Sequence, residues 1–176
     1  MRAVDVAAAF LEFARVDEDA VTQMQLHKLL YFAQGLSFGL RGRPLFDDQI
    51  EAWQHGPVVP AVRHRCGVGA AVQSEQFADF GIKDPTENEF VRSVWIRFRD
   101  YSASALRAMT HDDGPWSESF QKGRSVIPVG AIRDHFSMPK NTGFDCMAIL
   151  QAEVDFADER YSDLESVKAR VFAGKR

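Results

Sequence analysis

The sequence is poor in the features that several classes of protein need. It has only two cysteines among 176 residues, too few for a disulfide-stabilised secreted scaffold. Its formal net charge is −4, whereas nucleic-acid-binding proteins usually carry a strongly basic surface. No apolar run is long enough to cross a bilayer, and Asp5 lies where a signal peptide would be apolar. We therefore expect a reduced, cytoplasmic protein that does not bind a membrane and whose net charge gives no electrostatic preference for nucleic acid.

Patterns that indicate catalysis or metal binding are also missing. The five histidines show no metal-ligand spacing, no serine lies in a Gly-x-Ser-x-Gly turn, and no glycine-rich phosphate loop is present. His111 is followed by Asp112 and Asp113, which leaves a small His/Asp hydrolase open as an alternative. Residues 112–115 are also typical of a turn. We predict that the protein is not an enzyme and that it holds no cofactor or metal.

Apolar and aromatic residues are plentiful, at 45% and 11% of the chain, and they recur at helical spacing. Residues 4–14 and 22–38 each carry an apolar stripe, which predicts two helices. Thr22 and Gln25 fit a capping box at the start of the second helix. Asp84, which precedes a proline, is typical of a further helix start. These patterns predict a mainly helical core.

A small β element is predicted in the middle of the chain. Residues 50–53 alternate between apolar and polar and suit a short strand, which residues 126–127 would join. Gly56 and Pro57 are predicted to end this strand, with Pro57 opening a new helix. The fold class is therefore mainly α (α+β), a compact helical domain with a small antiparallel β element. Two segments are predicted as a loop and a turn, residues 67–83 and 114–116.

The pattern changes after Pro139. Apolar residues between positions 150 and 171 are spaced alternately by four and three, a heptad-like repeat. This spacing predicts a C-terminal helical tail over residues 139–176, which would pack on its own domain or serve as an interface helix. The chain is thus predicted to comprise a domain over residues 3–138 and a C-terminal extension.

The most specific motif of the sequence is Glu51-x-Trp53 followed by Gly56-Pro57-Val58. With several other motifs in the same order, it resembles one known family, the Panacea domain family of SocA-like or GepA-like antitoxins. Position 55, often aromatic in the family, is a histidine here. The resemblance covers about residues 3–138 and rests on motifs at residues 28–32, 42–48, 50–60, 106–111, 115–116 and 127–136.

The resemblance implies an interaction protein rather than an enzyme. Members of the family are small helical antitoxins that neutralise a cognate toxin by direct protein contact. The SocA type also implies an adaptor that delivers its toxin to the ClpXP protease. A homo-oligomer remains open. The predicted partner-binding residues lie in these motifs or beside them and are Lys28, Tyr31, Trp53, His55, Gly56, Pro57, His111 and Trp116.

A DNA-binding transcriptional regulator is the main alternative function. The helices predicted over residues 4–15 and 22–38 could form a helix-turn-helix, and Arg63 and Arg65 could contact phosphates. Against this hypothesis, residues 26–38 are mostly apolar and leave few side chains to contact bases.

Overall fold

The computed structural model describes residues 1–67, 71–111 and 114–138. Within these ranges the chain is mainly helical with one small antiparallel sheet, which confirms the predicted fold class. The predicted tail over residues 139–176 lies outside the described residues and stays a prediction. The helices are α1 (Ala3–Val16), α2 (Gln23–Arg41), α3 (Pro60–Arg63), a 3-10 helix (Ser74–Phe77), α4 (Pro85–Phe98), α5 (Ala103–His111), α6 (Gly114–Gln121) and α7 (Val129–Phe136), and the strands are β1 (Glu51–Trp53) and β2 (Gly56–Val58).

Helix α2 is the centre of the fold. Every residue from Leu26 to Phe38 is buried, because α1, α4, α5, α7 and β2 pack around the helix. The predicted capping box is confirmed, since the Thr22 hydroxyl accepts from the Gln25 amide at 3.2 Å and the Gln25 side chain accepts from the Thr22 amide at 3.0 Å. No helix in the described ranges is long and apolar enough to span a membrane.

Helix α7 approaches α2 closely because two glycines of α2 lack side chains. A Cβ atom built at Gly35 would lie 2.5 Å from ring carbons of Phe136, and one built at Gly39 would lie 2.5 Å from the Phe136 carbonyl oxygen. Glycine allows this backbone approach. The ring of Tyr31 meets that of Phe136 edge-to-face at 5.7 Å, so α7 closes one side of the core.

The sheet is a hairpin, and one prediction about it was wrong. β1 and β2 are antiparallel, with Ala52 opposite Pro57, so Pro57 lies in a strand and the next helix begins only at Pro60. The Ala52 amide donates away from β2, to the Ser125 carbonyl at 2.8 Å. Pro57 therefore occupies a position where β1 requires no N–H donor. The predicted contact of residues 126–127 with this strand is confirmed by a bridge between Glu51 and Val126.

Other local predictions had mixed outcomes. The Asp84 side chain caps α4 through the Thr86 and Glu87 amides, as its sequence indicated. Residues 114–116, predicted as a turn, instead begin α6, since proline is tolerated in the first turn of a helix. The segment predicted as a loop over residues 67–83 contains a 3-10 helix that buries Phe77.

Candidate protein-binding surface

Two buried side chains of α2 hold the β hairpin in place. Lys28 donates from Nζ to the carbonyl oxygen of Pro57 at 3.1 Å. His27 accepts at Nδ1 from the amide of Val59 at 3.3 Å. Both side chains belong to residues that are at most 3% exposed. The outer edge of β2 and the residue that follows it are therefore bonded to the core helix.

The interior strongly disfavours charge on both side chains. Burial, with smaller contributions from Lys28 and Arg63, lowers the pKa of His27 to about 3. Burial, assisted by Arg107, lowers the pKa of Lys28 to about 7. His27 is therefore a neutral imidazole near neutral pH, and because its Nδ1 accepts a hydrogen bond, its proton lies on Nε2.

Gly56 lets the hairpin approach Lys28. Its φ is +104°, and a Cβ atom there would lie 2.6 Å from Lys28 Nζ and 3.2 Å from Thr110 Oγ1. Thr110 is itself fully buried. The glycine is thus required twice, for its backbone conformation and for the space that the lysine occupies.

Trp116 connects the hairpin to α5 and α6. Its indole nitrogen donates to the Trp53 carbonyl at 3.0 Å. His111 stacks on its ring with centroids 3.9 Å apart, and Phe120 stacks on it at 5.2 Å. Trp116 is only 6% exposed, so it acts as a buried support beneath more exposed rings.

Some of the predicted partner-binding residues are exposed and others are buried. Trp53 is 42% exposed, and His55, in the hairpin turn, is exposed as well. His111 is half-buried. The other predicted residues are buried and cannot offer a side chain to a partner without rearrangement; they are Lys28, Tyr31, Gly56, Pro57 and Trp116.

Sequence analysis missed one exposed aromatic residue, Phe120. It is 43% exposed and lies four residues after Trp116 on α6, so both rings share a helix face. That spacing was a usable signal once α6 was known to be helical. Trp53 and Phe120 together form what we call the aromatic surface, which the buried ring of Trp116 supports.

Three arginines that could contribute to a basic surface interact with other side chains of the protein. Arg41 and Arg43 both pair with Glu87, and Arg65 lies over the Phe80 ring at 4.2 Å. Because every residue of α2 from Leu26 to Phe38 is buried, this part of the helix has no free face with which to enter a DNA groove. The structure therefore argues against the helix-turn-helix hypothesis.

The described residues also provide little for catalysis or metal binding. Burial raises the pKa of the Cys66 thiol, which disfavours the reactive thiolate. Within the described ranges, no three His, Cys, Asp or Glu residues are grouped so that they could hold a metal ion. Asp112 and Asp113, the possible acidic partners of His111, lie outside those ranges.

Two comparisons with known proteins indicate the same family. A family model described as "Antitoxin SocA-like, Panacea domain" matches residues 26–117. The chain is 32% identical over 155 residues to the protein named Antitoxin SocA of Caulobacter vibrioides (strain NA1000 / CB15N), a match that covers 77% of this chain and 82% of that relative. No solved structure matches the chain significantly. The family match spans α2, the hairpin and Trp116, and so includes all the predicted partner-binding residues.

Replacing Gly56 by alanine should test the contact between hairpin and core helix. Gly56→Ala should lower the free energy of unfolding by about 3 kcal/mol, because backbone strain adds to overlap with Lys28. Gly42→Ala is the matched control: Gly42 also has a positive φ, of 67°, but nothing lies within 4 Å of its Cβ position. The control should lose only about 1 kcal/mol. Equal losses in chemical denaturation would contradict this account of Gly56.

The buried His27 should make stability depend on pH. The ordinary pKa of histidine is 6.5. Below this pH His27 is protonated in the unfolded chain, whereas in the folded chain it stays neutral until about pH 3. The contribution of neutral His27 to the free energy of unfolding is therefore complete above pH 6.5 and declines towards pH 3, by about 2 kcal/mol between pH 6.5 and 5. His27→Gln keeps an acceptor for Val59 and should show a shallower decline in denaturation measured across this range. Parallel pH profiles would show that His27 does not titrate as described.

Proposed function

Since this chain belongs to the SocA-like Panacea domain family of antitoxins, we propose that it neutralises a cognate toxin by binding it directly. The observation that carries this proposal is that the family match includes a rigid hairpin with an exposed tryptophan. A binding protein of this kind needs preorganised contact residues and no catalytic group. We propose that it performs no catalysis.

Trp53 has the properties of an anchor for a partner. It is 42% exposed, and its indole nitrogen donates to a Glu51 carboxylate oxygen at 2.7 Å. Its carbonyl is held by Trp116, so both its backbone and its ring are oriented before binding. Tryptophan is enriched among the residues that dominate binding energy at protein interfaces. Phe120 extends the aromatic surface across Trp116.

The toxin would contact this hairpin through side chains rather than by adding a strand. On one edge, β1 bonds to residues 125–127 through the Ala52 and Ile127 amides. On the other edge, Lys28 and His27 occupy the Pro57 carbonyl and the Val59 amide. Strand addition requires a free edge, and these bonds block both edges of the hairpin.

We further propose that the chain delivers the bound toxin to the ClpXP protease. An adaptor needs a second contact site that remains available when the first is occupied. Residues 139–176 lie beyond the matched domain and are the candidate for that site. Self-association of the chain through the same segment is an alternative use of it.

Truncating Trp53 should separate binding from folding. Trp53→Ala should weaken toxin binding by about 2 kcal/mol, or roughly thirtyfold, because an exposed anchor is lost while the core is unchanged. Val16→Ala is the control, since Val16 is 57% exposed on α1 and lies outside the matched segment. Binding would be measured by calorimetry with the toxin, sought as the product of the adjacent gene, and neutralisation by rescue of growth.

Cells that express the toxin together with this chain can also show how the toxin is neutralised. If the chain is an adaptor, the toxin should disappear faster in cells that contain ClpXP, and rescue should fail without the protease. Rescue that persists without ClpXP would leave direct blocking as the mechanism. Failure of the wild-type chain to bind any toxin, or to restore growth, would overturn the proposed function.

A further inference from the structure

A shallow groove lies beside the hairpin turn, and the proposed function does not yet use it. It runs between the first turn of α2, the hairpin turn and the first turns of α5. The described residues that line it are Met24, His55, Ser102, Ala103, Ser104 and Arg107. Met24 and Ala103 supply an apolar wall. The groove is therefore adjacent to the hairpin on the side of α5.

The groove carries positive charge without a described counter-charge. Arg107 is the one described lining residue that is always charged, and no described lining residue is acidic. Within the described ranges Arg107 forms no ion pair, and its buried Nε has no hydrogen-bond partner. The positive charge of Arg107 also acts on Lys28, because it contributes to lowering the pKa of that side chain. This local charge is opposite in sign to the net charge of −4 on the whole chain.

We propose that this groove receives an acidic segment of the toxin, with a carboxylate against Arg107 and an apolar side chain against Met24 and Ala103. The inference rests on the proposed function and specifies the chemistry of its partner. A guanidinium with unused donors gains most from a carboxylate, which it can bind through two parallel hydrogen bonds. Methionine adapts its shape to varied apolar partners.

The position of the groove supports the same occupant. It lies over the start of α5, where free backbone N–H groups add positive partial charge. Ser102 already accepts from the Ala105 amide at 3.2 Å, so the helix start is ordered before a partner arrives. His55 connects the groove to the exposed hairpin turn. A toxin seated on Trp53 could thus reach Arg107 within one continuous interface.

Paired substitutions of Met24 test the sign of the occupant's charge. Met24→Glu should weaken toxin binding about tenfold or more relative to Met24→Lys, since only the glutamate would repel an acidic segment. A difference in stability between the two variants could not explain this result. An acid near a helix N-terminus is favourable and a lysine is not, so Met24→Glu should be the more stable of the two. Equal affinities, or tighter binding by Met24→Glu, would overturn the inference while leaving the proposed function intact.

Substitutions of Arg107 supply an independent measurement. Arg107→Gln should reduce affinity about tenfold and flatten the salt dependence of binding, because an interfacial charge pair is lost. Lys83→Glu is the control: Lys83 is exposed and lies at the opposite end of α4, about 20 Å along the helix from Ser102. It should bind within twofold of wild type. An Arg107→Gln variant that binds like this control would overturn the inference, and loss of toxin binding by wild type itself would remove both proposals.

Discussion

Burial of α2 on all sides between Leu26 and Phe38 is the constraint on which the rest of the structure depends. A helix without a solvent face must satisfy each of its polar side chains inside the protein. Gln34 does so by bonding the backbone of Leu45 and Phe46. Lys28 bonds the Pro57 carbonyl, and His27 accepts from the Val59 amide at Nδ1, whereas His27 Nε2 has no hydrogen-bond partner among the described residues. These polar residues of α2 thus bond the segment from Leu45 to Val59 to the core.

This attachment explains how a small sheet could serve as the proposed binding element. A hairpin with two short strands is marginal by itself, but here one edge is held by α2 and the other by residues 125–127. Trp116 secures the end of β1 from below. Only the turn and the outward ring of Trp53 are left for a partner. Rigid support beneath an exposed anchor lowers the entropy that binding would otherwise lose.

The sequence predicted features of the fold that depend on neighbouring residues better than features that depend on residues far apart in the chain. Thr22 and Asp84 were placed correctly because a helix cap is fixed by residues three positions apart. Pro57 was misplaced because the Ala52 amide opposite it donates to Ser125, which is distant in the chain. Lys28 offered no local sign that it would be buried, since its burial follows from Gly56 and Pro57 packing over it. The family motif therefore indicated a candidate region but did not separate its exposed residues from the buried residues that support them.

The most direct test of the central claim is hydrogen exchange on the chain with and without its toxin. In the free chain, the Val59 amide should exchange as slowly as the amides of α2, because it is bonded to buried His27. Toxin should protect the amides of residues 53–55 and 102–104 and leave those of α2 unchanged. Rapid exchange at Val59 in the free chain, or protection by toxin only on faces remote from the hairpin, would contradict the account.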